Sequence, residues 1–207
     1  MSLVEVLWSG IREISVAEWV AVAFALGYVV LAIRQNALCW AASIVSSGIF
    51  LVLFARQGLV MQAGLQAFYI AMGLYGGWAW RRGGEGAKQE LPVSHWPLRW
   101  HLAALAVLLV VSAANGRIMA GESGGLVPYV DALTAWTSFF GTVLLARKVL
   151  ENWLYWIVID LVSAGLYFSQ DLHATAVLFV VYSAMATRGY RQWHADWRRA
   201  RPVEAHA

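Results

Sequence analysis

Three residues spaced every fourth position, Asn152, Trp156 and Asp160, offer an amide, an indole and a carboxylate to whatever the chain binds. On a helix that spacing keeps them within about 80° of one another, so they form a single stripe. Gln62, Gln66 and Tyr69, at i, i+4 and i+7, form a second, which Gly73 and Gly76 continue. Asn36, Trp40 and Ser47 resemble the first stripe, and Thr175, Phe179 and Tyr182 the second. Together they suit a small polar ligand with an aromatic ring: amides and hydroxyls replace its water and indoles stack on the ring. If the ring is positive, cation–π attraction adds about 2 kcal/mol once it is desolvated.

These residues matter because of what surrounds them. The 207-residue chain is 60% hydrophobic and 13% charged, against about 25% charged in soluble domains. Apolar stretches near the roughly twenty residues that cross a bilayer recur at 16–34, 37–55, 59–80, 98–116, 130–148, 152–170 and 172–192. The expectation is an all-α integral membrane protein of seven transmembrane helices. A carboxylate in mid-span costs roughly 2.5–3.5 kcal/mol on insertion scales, so Asp160 must face the bundle interior or a water-filled cavity. The bland alternative is that individual Gln, Asn and Ser side chains tie helices together, at about 0.6 kcal/mol each.

Composition also excludes several classes. Cys39 is the only cysteine, so neither an internal disulfide nor a cysteine metal cluster can form. His101 and His173 lack metal-site spacing. No nucleophile stands beside an oriented base as a hydrolase requires, so no enzyme activity and no cofactor are expected. A retinal protein needs a lysine in its last span, yet Lys88 and Lys148 are the only lysines. Net charge is +3 and the basic residues sit at span ends, which argues for topology and against nucleic-acid binding. Residues 1–15 lack the pattern of a removable signal peptide, so the first helix is expected to stay.

Alternating the loops puts Arg12, Arg56 and Arg117 on one side and every other basic residue on the opposite side. By the positive-inside rule the N-terminus is outside, while residues 81–97 and the tail 194–207 are cytoplasmic. The linker 81–97, rich in Gly and Pro, reads as a solvated joint.

The chain also matches itself. The third and seventh spans align without gaps, pairing Tyr69 with Tyr182, Met72 with Met185, Gly76 with Gly189 and Trp80 with Trp193. The second and sixth align after a three-residue shift, pairing Asn36 with Asn152, Trp40 with Trp156 and Ser47 with Ser163. Repeat one thus covers 16–80 and repeat two 130–193, and the helix at 98–116 restores a parallel orientation. Secondary transporters use such repeats, with the ligand near the midplane between them.

The run Glu151-Asn152-Trp153-Leu154-Tyr155-Trp156, followed by Asp160, Gly189, Tyr190 and Trp193, resembles the PnuC family of bacterial vitamin transporters. Gln66, Tyr69, Tyr75, Gly76, Trp78 and Trp80 add to the resemblance, which covers residues 16–193. It implies a full-length SWEET-like arrangement of three plus one plus three helices in the bacterial inner membrane. It further implies facilitated diffusion, usually of nicotinamide riboside, with phosphorylation by a cytoplasmic kinase trapping the product without contact to the transporter. Thiamine and riboflavin are carried by related members, and a proton-coupled transporter using Asp160 is the rival mechanism. Self-association into a homo-oligomer stays open.

Overall fold

The computed structural model describes residues 15–83, 91–121 and 125–200. The first fourteen residues, the middle of the linker and the last seven residues lie outside it, and with them part of the expected N-terminal, linker and tail segments.

Seven helices form among the described residues: α1 (Val16–Ile33), α2 (Leu38–Arg56), α3 (Val60–Arg82), α4 (Leu98–Ala120), α5 (Val127–Ala146), α6 (Asn152–Ser169) and α7 (His173–Ala200). The protein is all-α, as expected. Helix α1 starts at a capping box: the Glu18 amide donates to Ser15 Oγ at 3.2 Å, and the Ser15 amide donates back to the Glu18 carboxylate at 2.7 Å. Each bond satisfies an amide left free in the first turn. Helix α5 begins earlier than expected because Pro128, whose missing N–H is harmless there, occupies its first turn. It also ends earlier, at a turn in which Lys148 takes φ 50°. Helix α7 runs on past 192 to Ala200, so the first part of the expected tail is helical.

By length and composition alone only α1, α2, α4 and α5 are apolar enough to cross a membrane. The other three carry the stripes of Gln62, Asn152 and Thr175. Their amides, hydroxyls and carboxylate lower the hydropathy of helices that the bundle must shield from lipid.

The described residues fall into two compact units, divided between Pro92 and Val93. In the first, α2 packs on both α1 and α3; in the second, α4 packs on α5, α5 on α6 and α6 on α7. The end of the linker is not a free joint. The Ser94 amide donates to Lys148 O at 2.9 Å and the Leu150 amide to Ser94 O at 2.8 Å, forming a parallel bridge with Val149. Glu151 then accepts from the Trp96 amide and pairs with His95. The composition of the segment hid these bonds, because most of them run through its backbone.

Each unit repeats the other's turns. Gln35 and Lys148 have positive φ, as do Gly58 and Asp171, and both pairs are 113 residues apart (148 minus 35 and 171 minus 58). The turn bonds Gln35 N to Ala32 O and Asn36 N to Leu31 O recur as Lys148 N to Leu145 O and Val149 N to Leu144 O. This spacing corrects the three-residue shift. Trp40 corresponds to Trp153, Ser47 to Asp160 and Cys39 to Asn152, so Asn36–Asn152, Trp40–Trp156 and Ser47–Ser163 are not equivalent positions.

Candidate substrate site

The packing contact common to both units is an indole against a glycine. A Cβ on Gly76 would fall 2.3 Å from the Trp40 ring, and one on Gly189 would fall 2.6 Å from the Trp153 ring. Only a residue without a side chain lets the helices approach this closely. Trp80 meets Trp40 edge-on at 5.5 Å and 87°, and Trp193 meets Trp153 at 5.4 Å and 89°. Trp40 is therefore a buried packing residue of the first unit, and so is Trp153, which the spacing argument passed over, of the second.

Around these keys the two units diverge. In the first, Tyr28 lies 6.0 Å from Trp40. Position 141, equivalent to Tyr28, is glycine, and a Cβ there would sit 3.4 Å from the Trp156 indole. Trp156 thus occupies space on α5 left by a missing side chain, while its own equivalent in the first unit is Ser43. Each unit carries one aromatic group here, on a different helix. Tyr28 had no signal in the sequence beyond its place in an apolar run.

In the second unit Asp160 is 5% exposed, midway along α6. Asn152 is fully buried at the start of α6; its amide donates to Val149 O at 2.6 Å, and its Oδ1 has no hydrogen-bond partner. Tyr182 is half-buried and rests on Phe179. The second unit thus carries Asp160, Trp156 and Asn152 on α6 and Tyr182 on α7, which packs against it.

The first unit is less complete. Gln66 and Tyr69 are half-buried, but Gln62 is exposed in the first turn of α3. Asn36 is exposed in the α1–α2 turn, where its Oδ1 accepts from the Leu38 amide at 2.9 Å. Among the described residues no cluster of His, Cys, Asp or Glu could hold a metal.

The profile of the nicotinamide mononucleotide transporter family matches residues 15–195. The chain belongs to this family. It is a multi-pass membrane transporter and not an enzyme, as expected. It is 27% identical over 169 residues, 70% of this chain and 71% of the relative, to the nicotinamide riboside transporter PnuC of Escherichia coli. It is 33% identical over 190 residues, 86% of this chain and 85% of the relative, to the riboflavin/roseoflavin transporter RibM of Streptomyces davaonensis. The crystal structure of the vitamin B3 transporter PnuC shares the fold, with TM-score 0.68 and 19% identity over 89% of this chain and 83% of that one.

Proposed function

We propose that this transporter takes up nicotinamide riboside by facilitated diffusion across the bacterial inner membrane, with intracellular phosphorylation trapping the product. The observation that carries the reading is Asp160, a buried carboxylate on a helix that also presents Trp156 and Asn152. A pyridinium ring brings the positive charge that such a carboxylate needs, and an indole brings the face on which the ring stacks. The name of the Escherichia coli relative agrees with this substrate. Thiamine, also a cationic aromatic, fits the same groups.

Riboflavin is the second reading, favoured by the identity to RibM. Its ring system is neutral, so Asp160 would serve it only as a hydrogen-bond acceptor. Uptake of labelled nicotinamide riboside, thiamine and riboflavin into liposomes holding the purified protein separates the three. Nicotinamide riboside is expected to equilibrate fastest; entry of riboflavin alone would overturn the cationic reading.

Transport is proposed to follow alternating access by two three-helix repeats of the SWEET-like kind. The 113-residue recurrence of turns and of tryptophan–glycine keys supports the repeats. Coupling to protons is disfavoured because Asp160 has no second deep acid with which to form a relay. In liposomes without a trapping enzyme, an imposed proton or sodium gradient is expected to leave the final substrate level at equilibrium. Accumulation above it would replace the facilitator by a coupled transporter.

The orientation proposed from the basic residues puts the linker and the C-terminus in the cytoplasm. Cysteines introduced at 85 and 200 are expected to react with an impermeant maleimide only after the cells are opened. Ready labelling from outside would invert the topology.

A further inference from the structure

Away from the Asp160 stripe, a cavity of about 480 Å³ lies within the second unit, walled by α4, α5 and α6. From α6 and its N-cap it takes Glu151, Leu154, Tyr155, Val158, Ile159 and Val162. At 100° per residue all of these except Ile159 point more than about 90° away from both Trp156 and Asp160, so this is not the proposed substrate site. Its α4 wall runs from Leu98 to Leu109, eleven helical rises or about 16 Å. That is about one leaflet, half of a hydrocarbon core roughly 30 Å thick. Leu98, Leu109 and Val158 are exposed along it and Ile159 is buried at its floor, so the groove opens on an exposed apolar face of the second unit.

Besides Thr134 and Thr137 of α5, whose Thr134 hydroxyl donates to Asp131 O, its polar groups gather at one end. Glu151, Tyr155 and His101 all lie near the first residues of α4 and α6, beside Trp96, which packs 6.0 Å from His101. Tryptophan at a span end marks the headgroup level. His101 is 8% exposed; its Nδ1 lies 3.0 Å from the Tyr155 hydroxyl. Its Nε2 has no hydrogen-bond partner, with the nearest Glu151 oxygen at 3.7 Å. With the Tyr155 hydroxyl donating to Nδ1, Nε2 carries the proton and is a buried donor in the groove wall, facing Glu151 without a hydrogen bond to it.

We propose that this groove binds one acyl chain of a bilayer phospholipid from the leaflet nearest Glu151, with an ester oxygen of that lipid accepting from His101 Nε2. Between apolar helix and apolar lipid no hydrophobic force favours one lipid position over another. The fit of the chain and the bond at His101 must therefore supply the preference. The proposal rests on the membrane setting of the family and is independent of which vitamin is carried.

The test reconstitutes the full-length protein in liposomes containing phosphatidylcholine with a diazirine in mid-acyl chain, followed by illumination and peptide mapping. Labelling is expected to concentrate on α4–α6 groove peptides over the exposed face of α7 at Val177 and Val180. Val158→Trp, which fills the groove, should remove the excess, and His101→Phe should reduce it about fivefold, the effect of one hydrogen bond. Monodisperse elution and circular dichroism check that both variants are folded. Even labelling of groove and α7 overturns the proposal, as does an excess that survives Val158→Trp in folded protein. Protection of the groove from the probe, with Val158→Trp converting an oligomer to monomer, overturns it in favour of a second copy as occupant.

Discussion

Alanine at Gly76 or at Gly189 is expected to destabilise the protein by about 1–3 kcal/mol, whereas alanine at Gly64 or Gly165 is expected to be neutral or stabilising. In an unobstructed helix interior alanine is favoured over glycine by up to about 1 kcal/mol, because glycine loses more backbone freedom on folding. Gly64 and Gly165 are of this kind, with no other atom within 4 Å of an added Cβ. At Gly76 the same Cβ would enter the ring of Trp40, and at Gly189 that of Trp153. Neither indole can retreat easily, since each is buried and held edge-on by a second tryptophan. Overpacking of this kind costs typically about 1–3 kcal/mol. Thermal unfolding of the four variants in one detergent measures the difference. A double-mutant cycle of Gly76→Ala with Trp40→Leu isolates the contact, because the glycine substitution should cost less once the ring is gone. If Gly76→Ala is as stable as Gly165→Ala, the tryptophan–glycine key is not what holds α2 to α3.

The same contacts show why the sequence was legible in some places and misleading in others. Tyr69 with Tyr182, Gly76 with Gly189 and Trp80 with Trp193 lie on helices whose packing role is the same in both units, so residue identities mark the register. On α2 and α6 only Trp40 and Trp153 share that role. The positions that flank them have diverged, Cys39 against Asn152 and Ser47 against Asp160. A shift of three residues happens to match an asparagine, a tryptophan and a serine, whereas on these two helices the true register matches one tryptophan and otherwise only Ile, Val and Leu, identities that any two apolar helices share. Arg34 and Arg147, which close α1 and α5 at the same 113-residue spacing, carried the correct register. Tyr28 was invisible for a related reason: its partner position is the glycine that makes room for Trp156, so no identity remains to match. The helices themselves were legible because apolar length is a summed property, insensitive to any single substitution.

Asp160→Asn is expected to weaken binding of a cationic vitamin by roughly tenfold to a hundredfold, the worth of about 1.5–3 kcal/mol for a bond to a charged group. The substitution keeps the shape and a hydrogen-bonding oxygen of the side chain and removes only its charge. Trp156→Ala should cost a comparable amount, about 2 kcal/mol, by removing a stacking face from a desolvated site. The two variants separate the ligand classes. A pyridinium or thiazolium ligand should lose affinity in both, whereas a neutral flavin should lose it in Trp156→Ala and be nearly indifferent to Asp160→Asn. Ser47, the equivalent of Asp160 in the first unit, supplies the control: Ser47→Ala removes a hydroxyl but no charge, so its effect on cation binding should be the smallest of the three. Calorimetry on protein that elutes as a single species gives the affinities. Unchanged affinity for every vitamin in both Asp160→Asn and Trp156→Ala would mean that the α6 stripe ties helices together and that the ligand binds elsewhere. Loss confined to Trp156→Ala would leave stacking intact as the basis of recognition and remove the charge of Asp160 from it, which would move the assignment from nicotinamide riboside to a flavin.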